Sequence, residues 1–439
     1  MESNLGLGPW GCPMRAAFLR PVLRSLLVLA LGAALAACGG PTPSTIDVEG
    51  RVVGSVGEPL AGLRVHAGGA VATTDALGSF RLEGVRVPYT IVVASTDGDG
   101  WVHAFEGLDD PIPVLAPLLD DPPLVAGTVR GDAWGGAPVP DGHQVLVCAE
   151  GVSVPVWGCA RVGAGAVGYL LQVAWTGSAA ANVRLHALWM VVDGLGWPLG
   201  YPGYATAEVV VASEATTVRD LDATPLVGPT APVMVSVSAL GGSLAFVTLA
   251  ADVGGAVAMP VYSGPWPVGP VDALLPPATI APRAQVVALA TFPPGGDAVG
   301  WATGDAGAPL TLALDAPPRQ LAPVEDAVGV TPSTPFTLEA GPAAAFRFAW
   351  SPTNGTVGPS ARVTTTSETV RLPDPTPFGL AYPAGGDYLR SVIGYEAPTS
   401  TGVGVGYVEL VALYGFGGAP LEGDARSATS GTRMLTLAP

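Results

Sequence analysis

The sequence predicts an all-β protein, a tandem of β-sandwich domains placed behind one short helical segment at the N-terminus. Three observations predict it. Short runs in which β-branched and polar residues alternate recur along the chain, as in Met234-Val235-Ser236-Val237-Ser238. Gly and Pro, at 60 and 45 residues, bound these runs. Beyond Cys38, hardly any stretch combines helical spacing with freedom from both breakers.

Composition removes several classes of function. Hydrophobic residues make up 49% of the 439, enough for packed cores, which argues against disorder over most of the length. The formal net charge of −17 offers no footprint for a phosphate backbone, and the expectation is no nucleic-acid partner. Nor are there basic patches to draw the chain onto anionic lipid. All 19 basic residues are arginine. Without lysine there is no P-loop, no Schiff-base chemistry and no Lys–Asn isopeptide bond.

Arg15, Arg20 and Arg24 precede the apolar run from Ser25 to Leu35, the layout of a secretory signal and too short for a confident membrane span. Met1 to Pro13 carry Glu2 and no positive charge, which makes Met14 an alternative start. The run ends in Leu35-Ala36-Ala37-Cys38-Gly39-Gly40, which resembles the lipobox of bacterial lipoproteins. That resemblance implies a helical signal peptide over 1–37, cleaved to leave Cys38 acylated, and an extracytoplasmic location, at the outer membrane if the cell has two. Cleavage takes away Glu2 and three arginines and leaves 35 acidic against 16 basic side chains. Residues 38–45, with Gly39-Gly40-Pro41-Thr42-Pro43, form a short tether. Cys148 and Cys159 remain in the folded part, eleven residues apart. In an oxidising compartment they read as a disulfide; a metal pair is the alternative, though no second Cys pair or suitably spaced His accompanies them.

The first domain is placed at 46–117. Gly57-Glu58-Pro59-Leu60 makes a turn before the strand at Leu63 to Val65, and Thr73-Thr74-Asp75-Ala76-Leu77-Gly78-Ser79-Phe80 makes a turn into the next. Three such blocks in order resemble the carboxypeptidase regulatory-like (transthyretin-like, Cna-B-like) β-sandwich, which implies a non-catalytic module. A diverged sandwich is expected over 123–227 and a β-rich domain of unknown type over 229–316, with Pro-rich junctions between. The last domain spans 319–439. Its Phe346-Arg347-Phe348-Ala349-Trp350 strand and the Tyr388 to Tyr395 strand resemble a fibronectin type III or immunoglobulin-like sandwich with Trp350 in the core.

No catalytic grouping is found: the four histidines are scattered and neither HExxH nor GxSxG occurs. No cofactor is expected. Asp97-Gly98-Asp99-Gly100 is the densest acidic stretch and a calcium candidate, but Trp101 and Leu108 occupy positions where an EF-hand needs oxygen ligands, and a solvated turn is the simpler reading. Trp189, Trp197, Tyr201 and Tyr204 lie in a stretch broken by Gly and Pro, read as a loop that presents rings to a glycan or protein ligand. The expectation is a membrane-anchored surface lipoprotein with a structural, adhesive or ligand-binding role. The alternatives are a carbohydrate binder using 197–204 and an extracytoplasmic hydrolase with an unrecognised site.

Overall fold

The computed structural model describes residues 44–54, 58–117, 124–152, 154, 156–226, 228–255, 257–353, 355–396 and 425–439. The expected signal peptide, Cys38 and most of the expected tether lie outside the described residues. Among these residues the structure is all-β, with a lone 3-10 turn at Thr376–Phe378 and no α-helix. No described helix is long and apolar enough to cross a membrane.

The first segment contains β1 (Thr45–Val52), β2 (Arg64–Ala67), β3 (Ala70–Thr73), β4 (Ser79–Arg86), β5 (Tyr89–Ser95), β6 (Trp101–Leu108) and β7 (Val114–Leu115). Alternation turns Phe80 and Leu82 of β4 inward, and after the irregularity at Gly84, where φ is +65°, Val85 follows; they meet Val65, Ile91 and Val93 from β2 and β5. The Thr74-Asp75-Ala76-Leu77-Gly78-Ser79 block works as a lock. The Asp75 carboxylate accepts from the backbone N–H groups of Leu77 and Ser79, both at 2.8 Å, and Thr74 Oγ1 donates to Leu60 O at 2.7 Å. Gly78 is required there: its φ is +71°, and a Cβ would lie 2.3 Å from Val52 O.

The second segment has β8 (Leu124–Asp132), β9 (His143–Gly151), β10 (Val156–Trp157), β11 (Cys159–Val162), β12 (Gly168–Thr176), β13 (Ala180–Val192), β14 (Pro198–Ala212), β15 (Thr216–Val218) and β16 (Thr224–Pro225). They form two sheets, β10-β12-β8-β15 and β11-β9-β13-β14-β16. Tyr169, Leu171, Val173 and Trp175 of β12 alternate inward against Val183, Leu185, Ala187 and Trp189 of β13.

The third segment has β17 (Ala231–Ala239), β18 (Ser243–Val253), β19 (Val257–Gly264), β20 (Val271–Leu275), β21 (Arg283–Thr291), β22 (Gly296–Asp305) and β23 (Leu310–Leu314). Its apolar cluster also takes in Leu188, Met190 and Val192 from the C-terminal end of β13. The β9-β13-β14 sheet is therefore buried on both faces at this end, which explains the unbroken apolar run from Ala187 to Val192.

The fourth segment has β24 (Arg319–Ala322), β25 (Ala327–Val330), β26 (Phe336–Glu339), β27 (Ala345–Pro352), β28 (Ser360–Thr365), β29 (Thr369–Val370), β30 (Asp387–Tyr395), β31 (Ala425–Ser430) and β32 (Arg433–Leu437). Trp350 is fully buried, edge-on to Phe336 with ring centroids 4.9 Å apart. Arg390 is buried beside them, its guanidinium donating to Ala322 O at 3.0 Å and Pro323 O at 2.9 Å.

Sheet pairing does not stop at the segment boundaries. Strand β28 pairs in parallel with β6, from Ser360 opposite Trp101 to Thr364 opposite Phe105. Strand β31 lies between β22 and β30, antiparallel to both. The product is a 14-stranded sheet shared by the first, third and fourth segments. His103 sits at the first of these seams, buried, stacked on Phe105, with Nε2 2.8 Å from Thr364 Oγ1. Burial first, then the Arg347 and Arg362 charges, hold it well below the usual histidine value of 6.5.

Two outcomes are expected. Trp350→Ala should cost about 3–5 kcal/mol in denaturant unfolding, because a fully buried ring leaves a cavity. His103 is neutral when folded and gains a proton near pH 6.5 only when unfolded, so its contribution to stability is present above that pH and lost as pH falls. Burial raises Glu106 nearby, which titrates in the opposite sense, so the diagnostic is a comparison. Between pH 7.5 and 5.5 the unfolding midpoint of His103→Gln should fall less than that of the unaltered chain.

Candidate functional site

The aromatic stretch expected as a loop is two paired strands. Residues Pro198–Ala212 are β14, antiparallel to β13 with Trp189 opposite Gly203 and Leu188 opposite Tyr204. Proline and glycine here mark irregular pairing between strands, with register shifts at Trp189/Val191 and Val191/Val192. Trp197 alone lies in the connection between the two strands; Trp197, Tyr201 and Tyr204 pack in or against the third segment's cluster while Trp189 turns to the other face, so the expectation of one loop presenting all four rings is corrected.

Tyr201 is buried in the third segment's core and donates through its hydroxyl to Leu274 O at 2.7 Å. Burial pushes its hydroxyl pKa upward. Trp197 stacks on Tyr262, centroids 3.7 Å apart, with Trp266 edge-on at 5.3 Å. The Asp193 carboxylate fixes the turn before it, accepting from the N–H groups of Leu195 at 2.8 Å and Trp197 at 2.9 Å. Together with the Arg161 hydrogen bond to Pro260 O, these contacts tie β11 and the β13-β14 hairpin to the third segment.

Tyr204 belongs to a polar group that the sequence did not reveal. His186 Nε2 is 2.8 Å from Glu150 Oε2, and its Nδ1 is 2.7 Å from Tyr204 Oη. The carboxylate can only accept, so Nε2 carries the proton and Nδ1 accepts from the tyrosine hydroxyl. Burial lowers His186 below its ordinary value against the opposing pull of Glu150, which agrees with that neutral tautomer. Burial, then the Glu150 charge, pushes Tyr204 up to about 12. Arg184 bridges Glu150 at 3.3 Å and Glu208 at 3.0 Å across β9, β13 and β14. Every member of the group has a partner within it, and no nucleophile is activated there.

Trp189 reaches a concavity. Its indole N–H donates to Ala133 O at 2.9 Å, and its ring forms the floor of a cavity of about 370 Å³. Trp134, Pro202, Leu221 and Asp222 complete the walls. Sequence reasoning missed Trp134 and Asp222. The available signal was Asp132-Ala133-Trp134, a carboxylate two residues before a tryptophan at a strand end. In the structure Asp132 Oδ1 accepts from Trp134 N at 3.1 Å.

Cys148 and Cys159 are joined by a disulfide and lie opposite each other on β9 and β11. Asp97 and Asp99 are exposed in the turn between β5 and β6. Among the described residues no three His, Cys, Asp or Glu side chains gather to hold a metal ion, there or elsewhere.

No family model matches the chain and no curated protein matches it. Among solved structures, it is similar to the Bacillus anthracis TIE protein at 11% identity, over 62% of this chain and 51% of that one, with a TM-score of 0.16. It thus spans about half the length of that protein. It is also similar to the chicken CNTN1 FN1-FN3 domains, at 11% identity, 71% and 99% coverage and a TM-score of 0.16. A Ca²⁺-stabilized adhesin of an Antarctic bacterium matches at 13% identity, 82% and 97% coverage and a TM-score of 0.14. Identities and TM-scores this low carry no functional argument for this chain.

Replacing both Cys148 and Cys159 with serine should lower stability by roughly 3 kcal/mol, read from denaturant unfolding with and without reductant.

Proposed function

We propose that this chain is a surface lipoprotein, anchored outside the cytoplasm through acylated Cys38, with a structural and adhesive role and no catalysis. The observation that carries this reading is the backbone seam pattern: β6 with β28, and β31 between β22 and β30. Separate domains on flexible linkers bend where they join. Here hydrogen-bonded ladders join the first, third and fourth segments, so a load passes among these three through backbone bonds.

The lipobox supplies the other half of the reading. Acyl chains on one cysteine, each contributing about 0.8 kcal/mol per buried CH₂, anchor a chain that otherwise has no attraction for an acidic surface. Residues 38–45 link the anchor to the first segment. The ligand in this reading is extracellular, a glycan or a protein, and the acidic charge disfavours nucleic acid.

Mass spectrometry of the N-terminal peptide from native membranes tests the anchor. A peptide beginning at Cys38 and carrying diacylglycerol is expected, and Cys38→Ser should abolish the added mass and the membrane association. An unmodified Cys38 in the mature protein overturns the reading.

A further inference from the structure

We propose that the cavity between Trp134 and Trp189 binds an uncharged pyranose of an extracellular glycan, with Trp134 as the stacking platform and Asp222 as the hydroxyl acceptor. This deepens the adhesive reading above and rests on it for its setting outside the cell.

The cavity exists because of three local features. Gly203 stands directly opposite Trp189 on the neighbouring strand, where any side chain would fill the hollow. A Cβ there would lie 3.1 Å from the Ala223 Cβ and 3.8 Å from Trp189 Cε3. The register shift after Trp189 sends Tyr201 into the third segment's core while Pro202 joins the cavity wall. Finally, the Asp132 turn holds Trp134 at the rim. Asp132 is itself fixed, its N–H donating to Asp220 Oδ1 at 2.8 Å. A volume of about 370 Å³ falls within the range of small-molecule sites.

The lining selects the chemistry. Trp134 is half-buried and contacts His143 in a T-shaped pair with centroids 5.6 Å apart, so the ring is held in place without being enclosed. Its indole N–H has no partner among the described residues, whereas the indole N–H of Trp189 is already satisfied by Ala133 O. Asp222, exposed, also lines the cavity and offers acceptors only. One donor, one acceptor and an apolar face of Trp134, Pro202 and Leu221 match a ring that has C–H groups on its faces and hydroxyls at its edge. Asp132, Asp220 and Asp222 together with a formal charge of −17 repel sialylated or uronic-acid glycans.

The test uses the purified full chain on an array of glucose-, galactose-, mannose- and N-acetylglucosamine-terminated oligosaccharides, with sialyl and uronic-acid glycans and choline alongside. Binding to at least one neutral glycan is expected. Trp134→Ala should weaken it about tenfold or more, and Asp222→Asn roughly fivefold to tenfold. Asp222 is exposed and Trp134 packs only partly against the core, so a single cooperative thermal transition, lowered at most modestly for Trp134→Ala, should show both variants folded. Gly203→Val offers a third arm, blocking the cavity from the floor. Binding to no neutral glycan, binding unaffected by Trp134→Ala, or preference for choline or an acidic glycan each overturns the proposal. An acylated chain that binds no neutral glycan leaves the surface-lipoprotein reading standing, while an unmodified Cys38 removes that reading by itself.

Discussion

The structure depends on satisfying the edges of its sheets. A strand at an edge leaves a row of N–H and C=O groups without partners, and a chain of many short sandwiches creates many such rows. This protein uses its own neighbouring segments to cover several of them. The edge at β6 is closed by β28 in parallel, and the gap between β22 and β30 is filled by β31. Backbone pairing is indifferent to side-chain identity, so it joins segments whose sequences share no motif. Their fixed geometry then follows from the ladders.

The same constraint governs the second segment by another route. Its β9-β13-β14 sheet packs one face on its own partner sheet and the other on the third segment, so β13 carries apolar side chains in both phases from Ala187 to Val192. Where that coverage runs out, the outer face turns polar in a graded way: Leu188, then His186 with Glu150 and Tyr204, then Arg184 with Glu208. The half-covered position holds a neutral histidine because it is dry enough to disfavour charge and polar enough to need hydrogen bonds. The aromatic stack of Trp197, Tyr262 and Trp266 closes the other end of this contact. The cavity at Trp134 and Trp189 opens on the opposite side of the sheet, where the register shift in β14 withdraws Tyr201 and leaves Gly203 bare.

Alternation and turn chemistry made much of this legible from the residues. The all-β class follows from them, and so does the lock at Thr74, Asp75 and Gly78, because a carboxylate that caps two N–H groups and a glycine at positive φ are local requirements. Trp350 as a core ring was also readable, its strand alternating Phe, Phe and Trp on one face. The aromatic stretch at 189–204 was misread. Glycine and proline spaced between rings look the same whether they form a loop or a pair of strands with shifted register, and only cross-strand partners distinguish the two.

What the sequence determined by itself is chemistry carried by neighbours along the chain: the strand periodicity, the turns and the absence of lysine. What only the tertiary structure decided is chemistry carried by neighbours across it. His186 meets Glu150 and Tyr204 from 36 and 18 residues away, Trp134 shares a cavity with Asp222, and β6 finds β28 more than 250 residues away. The physical reason is that hydrogen-bond ladders and core packing fix register globally. No local pattern of residues specifies which strand will stand beside another.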